Sequence, residues 1–263
     1  MKLSHRAIAD DACLEVGFYA VRALTHLVLH AGTDQLNAFQ NLVPPVIGLV
    51  ERLLAAGQEE QARESMDLFD ELFESELAIV VPHIRPIVAL SLKVSAEKAL
   101  EDATRVKAIA FLGRITRLKK KAIVRFKLYS EMINVLFPIM AEMPEDEDDD
   151  DDEAMSNLPS VAACQAVDTL AVNLPPDKFM PALLSHVQPA LQQGTDGNPG
   201  MTKAAFNALA VSAEGCSEYI RTKKYLGSFL QVELPDGYSH IFRSYVFGPS
   251  GLDYGSATLR CKI

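Results

Sequence analysis

The sequence has no tryptophan and few aromatic residues, 7% of 263. A core must therefore be built from Leu, Ala, Val and Ile, a palette that disfavours a sandwich or barrel and favours helices. Long apolar runs are missing too. The longest candidate, 78–92, is broken by Pro82, His83, Arg85 and Pro86, short of the roughly 18–20 apolar residues that a membrane-spanning helix needs. Membrane insertion is not expected. Residues 1–11 contain no apolar segment followed by a small-residue cleavage site, so no secretory signal is read. Cysteines number four, Cys13, Cys164, Cys216 and Cys261, with no CxxC pair and no His at metal spacing. This fits a reducing, intracellular setting with idle thiols better than a disulfide framework.

Catalytic signatures are absent as well. The glycines of 194–200 lack the Lys that follows in a phosphate-binding loop, and there is no GxSxG elbow. His26 and His30 stand one helical turn apart but have no acid or third ligand between them. No enzyme, metal or cofactor is expected.

What the sequence does contain is a repeat. A small residue, an apolar residue, two variable residues and a Leu or Phe recur as Ala20–Leu24, Ser65–Phe69, Ala108–Leu112, Ala166–Leu170 and Ala205–Leu209. The start-to-start spacings are 45, 43, 58 and 39 residues, and three of the four lie near the ~40–47 of HEAT or armadillo units. Between these anchors come Pro-bearing apolar segments around Pro44-Pro45, Pro82 and Pro181, with Pro138 as a looser copy. Each unit reads as a Pro-containing helix, a polar turn and a second helix. The turns are read at Ala56-Gly57-Gln58 and at Gly194–Gly200. The small anchor lets helices approach to about 8 Å, and the Leu or Phe four residues later fills the groove beside it. The expected fold is all-α: a HEAT-repeat solenoid of four to five helical hairpins over 14–230. A poorly defined lead, 1–13, precedes it. Such a stack leaves extended surface for binding other proteins.

Charge is concentrated. Nine of the 35 acidic residues are consecutive: Glu145, Asp146, Glu147, Asp148, Asp149, Asp150, Asp151, Asp152 and Glu153. The remaining 26 acids nearly balance 25 Lys and Arg, so the formal charge of −10 belongs to this run. Nine adjacent like charges cannot form a buried helix or strand. A loop at 144–156, inserted within one repeat, is expected, either as a solubilising insertion or as an electrostatic lure for basic proteins. Conversely, 105–127 contains nine basic residues and no acid. Lys107, Arg114, Arg117 and Lys121 fall on one helical stripe. That stripe fits a solvated face, an internal counterpart for the acidic run, or a contact for an external acidic ligand. Direct nucleic-acid binding is disfavoured, because no aromatics interleave and the molecule is anionic.

HEAT units with an acidic run inside one of them resemble the importin-β (karyopherin) family of nuclear transport receptors. Leu68–Glu74 followed by Val81-Pro82, Phe111-Leu112 with Lys119–Ala122, and Leu136–Ala141 are similar to the importin-4 type. The resemblance covers roughly 14–230. It implies a receptor that shuttles between cytoplasm and nucleus, contacts nuclear pore proteins, carries basic cargo such as histones and ribosomal proteins, and releases it to Ran-GTP. It also implies that Glu145–Glu153 contact Ran and cargo. The alternative is a static HEAT scaffold or regulatory subunit without Ran dependence. Family members are several times longer, and 231–263 has no helical period. The chain is therefore expected to be a fragment or truncated form with a disordered tail.

Overall fold

A computed structural model describes residues 2–10, 12–28, 30–32, 38–74, 78–142 and 157–222. Among the described residues there are ten α-helices and no strand. They are α1 (Lys2–Ile8), α2 (Leu14–Val28), α3 (Val43–Ala55), α4 (Glu59–Glu74) and α5 (Ile84–Ala96), followed by α6 (Asp102–Arg125), α7 (Leu128–Met140), α8 (Pro159–Asn173), α9 (Pro176–Gly197) and α10 (Pro199–Thr222). Short 3-10 turns, Gln40–Leu42 and Ala78–His83, lead into α3 and α5.

Local sequence sets these boundaries. Prolines occupy the first turns of α3, α8, α9 and α10, where their missing N–H breaks no helical bond. Gly57 ends α3 with φ +71. Its N–H donates to the Leu54 carbonyl, while the Gln58 N–H donates back to Leu53. This Schellman closure needs a residue tolerant of positive φ. The turn read at 194–200 is shorter than expected, because α9 continues to Gly197 and only Asn198 separates it from α10. Pro138 lies near the end of α7, not its start.

The chain divides into two compact units, Met1–Phe126 and Lys127–Ile263. In the first, α1 pairs with α2, α3 with α4 and α5 with α6; α1, α3 and α5 touch in one layer, and α2, α4 and α6 in the other. In the second, α7 pairs with α8 and α9 with α10, with α7 against α9 and α8 against α10. All five anchors fall on the second helix of a hairpin: α2, α4, α6, α8 and α10. The fold class is an all-α HEAT-repeat solenoid, with three hairpins in the first unit and two in the second among the described residues. The lead 1–13 contains α1, which the sequence reading did not separate out. Arg52 of α3 reaches across to the Ile8 carbonyl at the end of α1, 2.6 Å.

The anchors act as their chemistry requires, with one exception. Ser65, Ala108, Ala166 and Ala205 are buried, and the Ser65 hydroxyl returns its hydrogen bond to the Gln61 carbonyl, so burying it strands no donor. Phe111 of α6 sits against Phe69 and Phe73 of α4, with ring centroids 6.4 and 5.7 Å apart. Ala20 is only half-buried. On α2 the close contact is made one turn earlier by Gly17, where an added Cβ would stand 2.9 Å from Leu49 Cδ1.

Candidate protein-binding surface

The surface of α2, α4 and α6 carries the charge pattern most relevant to partners. Half of the residues of α4 are charged, seven of them acidic. Arg63 Nη1 bonds Glu101 Oε2 at 2.7 Å and Thr104 Oγ1 at 2.8 Å. Glu59 accepts the Glu101 backbone N–H at 3.0 Å and the Thr104 hydroxyl at 2.6 Å. A carboxylate from α4 thus covers the start of α6, where free N–H groups and the helix dipole favour negative charge.

Further along, Lys107 Nζ lies 2.5 Å from Asp67 Oδ1 and 3.4 Å from Asp70 Oδ2, and Arg114 Nη1 is 3.0 Å from the same Asp70 oxygen. Asp70 is buried, and its Oδ1 has no hydrogen-bond partner among the described residues. Burial raises its pKa above the usual carboxylate value, against the opposing pull of Lys107 and Arg114. Glu71 beside it is also raised, by burial first and then by the like charges of Glu74, Asp70 and Asp67. This end of α4 is therefore a crowded anionic surface.

A common register connects these pairs. Arg22, third in the α2 anchor, faces Glu64, the residue before the α4 anchor, at 3.9 Å. Asp67, third in the α4 anchor, faces Lys107, the residue before the α6 anchor. Sequence reasoning missed this ladder, although anchor spacing combined with opposite signs at those two positions would have found it.

The expected basic stripe is not continuous. Lys107 and Arg114 are engaged by α4, and α6 leaves helical geometry at Lys119, φ −128 and ψ 36, between Arg117 and Lys121. Strict 3.6-residue spacing cannot carry a stripe across that kink. Arg117 and Lys121 are exposed. The nine acids Glu145–Glu153 lie outside the described residues, as does 223–263. His26 and His30 are exposed, and no group of three potential metal ligands occurs among the described residues. Cys164 and Cys216 are buried and Cys13 is exposed. Burial pushes the Cys216 thiol up to about 12, so it stays protonated and inert.

Residues 2–90 match the family model described as IPO5-like, TPR repeats. The chain is 32% identical over 244 residues to Importin-4 of Mus musculus, an alignment that covers 88% of this chain and 22% of the relative. It belongs to the importin-β family. Two solved structures of Kap121p, bound to Nup53p and to RanGTP, superpose with a TM-score of 0.78 each. They share 20% and 19% of residues and cover 94% of this chain and 25% of theirs. This importin-family chain thus spans about a fifth of the length of the curated relative and a quarter of the Kap121p chains.

Proposed function

We propose that this chain forms part of a nuclear import receptor that binds a basic protein cargo and responds to Ran-GTP while shuttling between cytoplasm and nucleus. The observation that carries the reading is the 32% identity to Importin-4 along 88% of the chain. Kap121p, of matching fold, has been seen with RanGTP and with Nup53p, which favours Ran and nuclear pore proteins as partners here. Glu74, exposed beside Glu71, favours a cationic partner, because a bound Lys or Arg would relieve the repulsion between these two acids.

Within this reading, histones and ribosomal proteins are the cargo class, and Glu145–Glu153 supply the long-range attraction. Nine adjacent carboxylates make a field that the near-neutral remainder lacks, and it extends over a Debye length of about 8 Å at physiological salt. Replacing the nine by Ser and Gly should slow association with a core histone more than it speeds dissociation, and should flatten the salt dependence. Adding GTP-loaded Ran should release the histone. Histone binding that ignores both Ran and the nine acids would return the chain to the static-scaffold reading.

A further inference from the structure

The cations of α6 divide into two groups. Arg105 is buried, donates from Nε to the Ser95 carbonyl at 3.1 Å and lies 3.6 Å from Asp102. Lys107 and Arg114 are held by Asp67 and Asp70. At Lys119 the helix kinks, and burial lowers that lysine's pKa. Around and beyond the kink the pattern reverses. Arg117, Lys120, Lys121 and Arg125 are exposed, and none of them has an acidic partner within 4 Å among the described residues. Leu118, in their midst, is 43% exposed. Arg125 stands 5.5 Å from the Phe126 ring centroid, and Arg85 of α5 stands 5.2 Å from the same ring while donating to the Phe126 carbonyl at 3.0 Å. The exposed end of α6 therefore carries four cations on either side of the kink, close in sequence to the exposed Leu118, and Arg85 joins them through Phe126.

We propose that this distal end of α6, with Arg117, Leu118, Lys120, Lys121 and Arg125 exposed around the kink and Arg85 beside Phe126, docks an acidic polypeptide segment that carries an apolar side chain. Carboxylates of the segment bridge the cations, and its apolar side chain covers Leu118. Arg117 and Arg125 are eight residues apart, a span of about 12 Å for helical backbone on the two sides of the kink, within one to two Debye lengths, so the charges' fields add. Leu118 favours a polypeptide over nucleic acid: a phosphate backbone gains nothing from an exposed leucine. The one aromatic ring at the site, Phe126, already has two guanidinium groups against it and offers no free stacking platform. This surface selects the opposite charge from the basic cargo proposed above, so it stands or falls separately.

Fluorescence anisotropy with the full chain tests it, using a short labelled peptide of Asp and Glu around a central Leu. The R117E/K121E variant should weaken binding by about tenfold or more and flatten its salt dependence. L118S should weaken it by about threefold to fivefold with the salt slope unchanged. Both changes are at exposed positions, and circular dichroism should show an unchanged helical spectrum. A peptide with Ser in place of its Leu should bind wild type and L118S equally. The inference is overturned if wild type does not bind the peptide, if R117E/K121E binds it as well as wild type, if L118S has no effect, or if a single-stranded oligonucleotide at the same salt binds more tightly than the peptide.

Discussion

Between α2, α4 and α6 the neighbouring second helices are joined by opposite charges; between α8 and α10 they meet through small residues. In the first unit the residue before an anchor pairs with the third residue of the preceding anchor, as in Arg22–Glu64 and Asp67–Lys107. In the second unit α8 has one charged residue, Asp168. Its pKa is raised by burial and then by the like charge of Glu214 on α10. What joins the helices there is proximity. A Cβ on Gly215 would stand 2.5 Å from the Ala171 carbonyl oxygen of α8; a similar approach brings α10 against the end of α7, where a Cβ on Gly200 would stand 2.5 Å from the Ala141 oxygen. Cys216 also lies close beside Ala171, with Sγ 3.9 Å from the carbonyl oxygen. One hairpin shape is thus stacked by two different means. Charged pairs tolerate some sliding and depend on salt, whereas backbone-to-backbone contact tolerates neither an added methyl group nor much displacement.

The largest test of this difference is a pair of glycine substitutions. Gly215→Ala should destabilise the second unit by about 2–3 kcal/mol, because backbone must move to admit the Cβ. Gly48→Ala in α3 meets nothing within 4 Å and should stabilise by about 0.5–1 kcal/mol through helix propensity alone. Hydrogen exchange resolved by helix reads both, and equal effects would erase the contrast. Next in size, Lys107→Glu should cost about 1–2 kcal/mol, since it sets a third carboxylate beside Asp67 and Asp70. Adding Asp67→Lys should recover part of that loss, and the recovery should shrink at high salt. Urea denaturation at two salt concentrations checks it.

The smallest effect concerns Asp168. Its folded-state pKa lies above the ordinary value, so the folded state holds the proton more tightly. The favourable contribution is therefore complete below that ordinary value and is lost as pH rises through the raised one. Asp168→Asn should stabilise the protein at neutral pH by about 0.3–0.5 kcal/mol and change nothing in acid. Greater stability of wild type at neutral pH would show that Asp168 has an attractive partner.

Much of this fold could be read from the sequence because its repeats are carried by side-chain volume. Ala108 and Ala205 are small because helices meet there, and that requirement shows in the spacing of the anchors. Two kinds of feature were hidden. Gly17 took over the contact expected of Ala20, since helical periodicity does not say which of two small residues one turn apart will face the neighbour. The stripe Lys107–Arg114–Arg117–Lys121 was drawn on a straight helix. The kink at Lys119 and the pairing of its first two members with Asp67 and Asp70 depend on what α4 places opposite, which periodicity within α6 does not contain. The acidic run was plain from composition alone, because no packing is needed to see nine adjacent charges.

The register of the Arg22–Glu64 and Asp67–Lys107 pairs also limits which hairpin can follow which. The sign order reverses at each step: a cation meets an anion, then an anion meets a cation. If the hairpin holding α4 were deleted, Arg22 would be brought opposite Lys107, and a join that fits in shape would be repelled in charge. Hairpins that look interchangeable in outline are therefore ordered by polarity. Recombination or design that shuffles such units must carry both members of each pair across the junction, or introduce a repulsion the original order avoided.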